Sequence, residues 1–149
     1  MRKITDDVIY IGIDDFDIDL FESQYRVPQG VSYNSYLILD EKVAILDTAD
    51  ARKGEEWETN LKKALGERTP DYLVVHHLEP DHSSMIARAL ELYPDIQIVA
   101  GNRATKMLPQ FFNSPDISSR CIEMKEGDVL DLGKHKLHFY AAPMVHWPE

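Results

Sequence analysis

Cysteine is nearly absent. Cys121 is the one cysteine among 149 residues, so no intrachain disulfide can form. It lies beside Ile122 in an apolar stretch, where packing outranks nucleophilic chemistry. Basic charge is also in deficit. Sixteen Lys and Arg against 26 Asp and Glu leave a net charge of -10. That argues against nonspecific binding to nucleic acid or to an anionic membrane, both of which need a basic surface. It is compatible with a basic partner without identifying one. Long apolar runs are missing as well: none approaches the ~18 residues of a spanning helix. The opening segment from Met1 to Asp7 has no apolar core of the kind a signal peptide carries. There is no internal repeat, linker-like stretch or low-complexity segment. These absences point to a cytoplasmic protein. The length suggests one domain, and 44% hydrophobic with 28% charged residues fits a globular one.

One stretch organises the rest. The apolar run Tyr72-Leu73-Val74-Val75 stops abruptly at His76-His77-Leu78-Glu79-Pro80-Asp81-His82. Pro80 does not belong inside a helix or a central strand, so His77 to His82 is expected to be a loop. Apolar residues return at helical spacing at Met85-Ile86, Ala89-Leu90 and Tyr93. A strand, a ligand-rich loop and a helix are how α/β proteins build sites at the carboxyl end of a strand. His77, Glu79, Asp81 and His82 spell H-x-E-x-D-H, a mixture of imidazole and carboxylate suited to Zn, Fe or Mn. His77 and Glu79 can share one ion while Asp81 and His82 turn toward a second. A solvated acidic loop with incidental histidines is the competing interpretation, and four potential ligands within six positions outweigh it.

Elsewhere the pattern alternates strands and helices. Val8 to Ile13 reads as a strand ending at Gly12, and Asp14 to Glu22 as a solvated acidic loop anchored by Phe16 and Phe21. The ligand spacing of an EF-hand is absent there. Tyr33 to Leu39 and Val43 to Asp47 form a hairpin around Asp40-Glu41-Lys42. Asp47 either hydrogen-bonds the ligand loop from behind or caps a turn. Gly54 to Leu65 is an amphipathic helix closed by Gly66. Ser83 or Ser84 caps the helix after the ligand loop, and Tyr93-Pro94-Asp95 stops it. Gln97 to Ala100 is a strand. Asn102 caps a helix that Pro109 kinks or divides. Arg120 to Met124, Val129 to Leu132 and Lys136 to Ala141 are three further strands. His76, His135 and His138 read as structural or exposed.

The residues quoted carry a resemblance. The metallo-β-lactamase superfamily has H-x-H-x-D-H after a similar strand, and Glu79 stands here for its second His. That exchange is similar to the flavodiiron proteins. So are Leu20-Phe21-Glu22, Pro28 to Tyr36, Asp40 to Thr48, and His146-Trp147-Pro148-Glu149. The resemblance implies a metallo-β-lactamase-like αββα sandwich, class α/β (α+β), of which residues 1–149 form roughly the N-terminal half to two-thirds. The remainder and a flavodoxin-like FMN domain are not in the chain. It implies two non-haem irons: His77, Glu79 and His146 on the first, Asp81 and His82 on the second. Without the upstream motif His146 would read as an ordinary histidine. A bridging carboxylate and a further His fall outside the chain, so weak or partial metal binding is expected of it alone. The implied activity is reduction of dioxygen to water, or of nitric oxide to nitrous oxide, with electrons from FMN and a rubredoxin-like donor. A metal-dependent hydrolase of the same superfamily and an inactive truncated fragment are the rival readings, and Glu79 weighs against the hydrolase by favouring Fe or Mn over Zn. With one sheet incomplete, the apolar strands from Arg120 to Ala141 are expected to seek cover in a homo-oligomer or a complementary polypeptide.

Overall fold

The computed structural model describes residues 2–113 and 116–149. In chain order the strands are β1 (Arg2–Lys3), β2 (Val8–Tyr10), β3 (Ile13–Asp15), β4 (Leu20–Phe21), β5 (Tyr25–Arg26), β6 (Val31–Tyr33), β7 (Tyr36–Leu39) and β8 (Val43–Leu46). Helix α1 (Gly54–Leu65) precedes β9 (Tyr72–Val75). The short α2 (Pro80–Ser83), α3 (Ile86–Leu92), β10 (Gln97–Gly101) and α4 (Asn102–Phe111) follow. The chain continues through β11 (Cys121–Met124), β12 (Val129–Asp131) and β13 (Lys136–His138).

Among the described residues, seven strands form one sheet in the order β1-β2-β7-β8-β9-β10-β11. The first four strands pair antiparallel; β8, β9, β10 and β11 run parallel. Strand β9 lies inside the sheet, between β8 and β10, and is apolar on both faces. Leu73 and Val75 point into a core with Trp57 and Leu61 of α1, Ile86 and Ala89 of α3, and Ala104 and Leu108 of α4. Val74 and Val99 point the other way, to Leu130 and Leu132 and to Leu137 of the β12–β13 hairpin. The alternation of a strand splits Leu73 from Val74, and both sides are covered, which is why the run reads as continuously hydrophobic.

The hairpin is clamped rather than merely laid on. Asp40 accepts hydrogen bonds from the backbone N–H of Lys134 at 3.1 Å and from the His135 backbone N–H and Nδ1 at 2.6 and 2.7 Å. Gly133 makes that approach possible: at φ 114° a Cβ would stand 2.9 Å from Asp40 Oδ1. His135 is thus structural, and His138 is exposed on β13.

Several expectations are revised. The strand from Val8 breaks after Tyr10, because the N–H groups of Ile11 and Gly12 both bond the Ser35 carbonyl. The chain then enters a separate two-stranded ribbon, β3 with β6. The acidic segment is not wholly solvated. Asp15 is buried and accepts from Tyr33 Oη at 2.9 Å and the Asp17 N–H at 3.0 Å. Phe16 is 75% exposed and anchors nothing, while Phe21 packs on the core. Pro109 does not divide α4: it lies in the last turn, the helix runs on to Phe111, and the Phe112 N–H still bonds the Leu108 carbonyl. Neither Ser83 nor Ser84 caps α3; their hydroxyls donate to the carbonyls of Leu78 and Pro80. Asn102 is the first residue of α4, with Gly101 at the cap position.

Candidate metal centre

Strand β9 delivers His76 and His77 at its carboxyl end. The segment to His82 is not all loop. Pro80 opens α2 at its first position, where its missing N–H costs nothing and its fixed φ suits a helix. This places Asp81 and His82 on a helical turn and leaves His77 and Glu79 on the approach to it.

The end of β8 holds that turn from behind. Asp47 adopts a left-handed φ of 51°, uncommon for a non-glycine residue, and is buried. Its Oδ1 accepts the His76 backbone N–H at 2.7 Å, and its Oδ2 lies 3.1 Å from His82 Nδ1 and 3.3 Å from His76 Nδ1. Thr48 grips the same turn: its N–H and Oγ1 both donate to the His82 carbonyl, at 2.8 and 2.7 Å. Of the two alternatives for Asp47, the first holds: its carboxylate bonds the ligand turn from behind. The core reinforces the arrangement. Trp57 Nε1 donates to Ser35 Oγ at 3.0 Å, and Ser35 Oγ donates to the Asp47 carbonyl at 2.8 Å. Burial opposes ionisation of Asp47, but the histidine hydrogen bonds prevail and its carboxyl is held low. In return, the bond to Asp47 raises the pKa of His82.

His146 arrives from the other end of the chain. His77 Nε2, Glu79 Oε2 and His146 Nε2 form a triangle with sides of 2.9, 2.9 and 2.8 Å. Trp147 packs edge-on to the His77 ring, with centroids 5.4 Å apart, and contacts Phe111 of α4. Arg103 Nη1 donates to the Pro148 carbonyl at 2.8 Å and fixes this returning segment.

Two residues absent from the sequence-based set join the site. Glu149, its side chain buried, lies with one oxygen 2.8 Å from the Leu78 N–H, which it accepts, and 2.9 Å from His77 Nδ1. Glu22 reaches Glu79 from the acidic segment, and its own pKa is raised chiefly by its hydrogen bond to that carboxylate. Burial opposes the charge on Glu79, yet the neighbouring Glu22 and the imidazoles of His146 and His77 outweigh it and hold its carboxyl at about 2.

The triangle fits a cation better than it fits a hydrogen-bond network. A carboxylate can only accept, so with Glu149 ionised the one proton of a neutral His77 ring lies on Nδ1 and Nε2 carries a lone pair. It then faces the lone pairs of Glu79 Oε2 at 2.9 Å with no proton of its own to share. Donors about 2.1 Å from an ion stand about 3.0 Å apart when mutually at right angles and about 3.4 Å apart in a tetrahedron. Separations of 2.8–2.9 Å match the former. Two imidazoles and one carboxylate on one face, with other positions open, is the donor set of non-haem Fe(II).

Asp81 and His82 lie next to the triangle without entering it. The rings of His77 and His82 are 5.3 Å apart, and His82 Nε2 is 3.6 Å from Asp81 Oδ2. Burial raises the pKa of Asp81, and its Oδ1 is buried with no hydrogen-bond partner among the described residues. Buried polar atoms are seldom left so, and a cation is one explanation. The pair alone offers too few donors for a second ion. Cys121, by contrast, is not part of any site. Burial raises its thiol pKa, and the thiol donates to the Ile117 carbonyl.

A mixed sheet with helices on one face, a hairpin on the other and a histidine–carboxylate cluster at a strand end defines a metallo-β-lactamase-like domain. The model of the family described as ODP family beta lactamase matches residues 31–149, and the chain belongs to that family. It is 33% identical over 148 residues to the flavo-diiron protein FprA2 of Clostridium acetobutylicum, covering 99% of this chain and 36% of that one. It is 35% identical over 147 residues to the nitric oxide reductase of Moorella thermoacetica, covering 98% of this chain and 36% of that one. Its fold superposes on the rubredoxin oxygen:oxidoreductase of Desulfovibrio gigas with a TM-score of 0.92 at 31% identity, covering 99% of this chain and 36% of that one. The flavodiiron resemblance and the fold class expected from the sequence are both borne out. The chain spans about a third of the length of these relatives. No helix among the described residues is long and apolar enough to cross a membrane.

Proposed function

We propose that the chain is the N-terminal, metal-holding part of a flavodiiron oxidoreductase that reduces dioxygen to water, nitric oxide to nitrous oxide, or both. The observation that carries this reading is the triangle of His77, Glu79 and His146, a facial donor set with open positions. The names of the relatives, a nitric oxide reductase and a rubredoxin oxygen:oxidoreductase, support the two substrates. In this reading residues 1–149 are an incomplete metallo-β-lactamase-like diiron domain. The rest of that domain and a flavodoxin-like FMN domain lie in sequence beyond it. A rubredoxin-like protein is the electron donor and the protein works in the cytoplasm. The incomplete sheet is covered by a second copy or by a complementary polypeptide.

His77, Glu79 and His146 would hold the first iron, and Asp81 with His82 would contribute to the second. Iron held there would supply electrons and Lewis acidity to the diatomic. The chain's own residues prepare the place. Glu79 stays ionised despite burial, Asp47 fixes the His82 ring through Nδ1, and Trp147 shields one side of His77 from water.

The test is made on the full natural chain, loaded anaerobically with Fe(II). Stoichiometric iron together with flavin-dependent consumption of dioxygen or nitric oxide is expected. Both should fail in His146→Ala. Hydrolysis of an ester or a lactam without redox turnover would overturn the reading in favour of a hydrolase. Absence of any activity and of iron would leave a folded, inert domain.

A further inference from the structure

Glu149 is a glutamate whose side chain is only 4% exposed. A buried carboxylate is costly unless it is paired or faces a cation. Its pairing is one-sided. Oε1 takes both the Leu78 N–H and His77 Nδ1, at 2.8 and 2.9 Å. Oε2 is buried with no hydrogen-bond partner among the described residues. A residue serving only to satisfy the Leu78 N–H would need no charge, since a neutral carbonyl does that. The charge makes sense on the other contact. A carboxylate can only accept, so the His77 proton is fixed on Nδ1, and Nε2 is turned as a lone pair toward Glu79 and His146. The same arrangement recurs one ring away, where Asp47 stands on Nδ1 of His82 at 3.1 Å. Carboxylates placed behind metal-bound imidazoles set the tautomer and the ring orientation and raise the basicity of the ligating nitrogen.

We propose that Glu149 is a positioning residue that acts through His77: its carboxylate selects the Nδ1–H tautomer and so presents Nε2 to a divalent metal at the His77–Glu79–His146 triangle. This rests on reading that triangle as the metal site. Trp147 against His77 and Arg103 on the Pro148 carbonyl hold the segment that brings Glu149 in, so the metal face of His77 is set by the far end of the sequence.

The experiment compares wild type, Glu149→Gln and Glu149→Ala in the full natural chain, with folding checked by circular dichroism. In metal-free protein labelled with 15N-histidine, and with His77 assigned by its loss in His77→Gln, the wild type should show the Nδ1–H tautomer. Glu149→Ala should lose that preference. Glu149→Gln keeps an acceptor and should retain it. By anaerobic Fe(II) titration Glu149→Ala should bind about 10–100-fold more weakly than wild type, with Glu149→Gln between the two. A folded Glu149→Ala that keeps the Nδ1–H tautomer and wild-type Fe(II) affinity overturns the proposal. A wild type that binds no Fe(II) overturns the triangle as a metal site and leaves the tautomer comparison to decide what Glu149 does to His77.

Discussion

Two clusters of side chains stand beside each other at the carboxyl end of β9, and they are built in opposite ways. The His82 side is braced from beneath by residues 34 and 35 positions away. Asp47 and Thr48, on the adjoining strand end, hold both its ring and its backbone, and the core residue Trp57 supports them through Ser35. The triangle is assembled across the sequence. His77 and His146 are 69 positions apart, and their meeting depends on a returning segment fixed by a few contacts. The first cluster is rigid but short of donors; the second is complete as a donor set but held by the chain's far end. Rigidity and ligand supply thus come from different places.

The comparison breaks most directly at the triangle. Glu79→Gln or His146→Ala should lower Fe(II) affinity by more than the about 10–100-fold typical of removing a residue behind a ligand. Either should leave the unfolding midpoint of the metal-free protein nearly unchanged, and calorimetric titration with urea unfolding checks both. A stability loss as large as the affinity loss would mean the triangle is a packing element.

The opposite outcome is expected for Asp47. Asp47→Asn keeps a side chain that tolerates left-handed φ but cannot match the carboxylate toward two imidazoles. It should cost about 1–3 kcal/mol in urea unfolding. Asp47→Ala should cost more, because alanine fits a φ of 51° poorly.

The smallest effect separates the clusters by pH. The bond to Asp47 raises the His82 pKa above its ordinary 6.5. A raised folded-state pKa gives stability that is fully present below the unfolded value and is lost as pH rises through the folded one. Metal-free wild type should therefore lose stability across that window above about pH 6.5. Asp47→Asn should flatten the slope, and unfolding midpoints measured across neutral pH would show it.

Legibility in the sequence follows the same division. H-x-E-x-D-H stands out because its four residues are neighbours after an apolar strand, and β9 and α1 announce themselves by periodicity. His146 has no local signal; only the resemblance pointed to it. Glu149 and Glu22 were missed because each acquires its role from a contact made by the fold. The prolines misled for a positional reason. Pro80 breaks a helix interior but opens a helix at its first position, and Pro109 is carried inside the last turn of α4 without dividing it. Phe16 and Asp15 exchanged places relative to polarity alone. The buried partner of Asp15 is Tyr33, 18 positions away.

The wide separation of His77 from His146 also makes the site an indicator of folding. No short stretch of an unfolded chain gathers all three donors. A metal that binds the folded form and not the unfolded one stabilises it by mass action. Closing so long a loop costs entropy, but slowly, about 0.6 kcal/mol for each doubling of length. Iron captured at the triangle would then act as a late staple, joining the last residues of this stretch to the strand at its centre only after the sheet has formed.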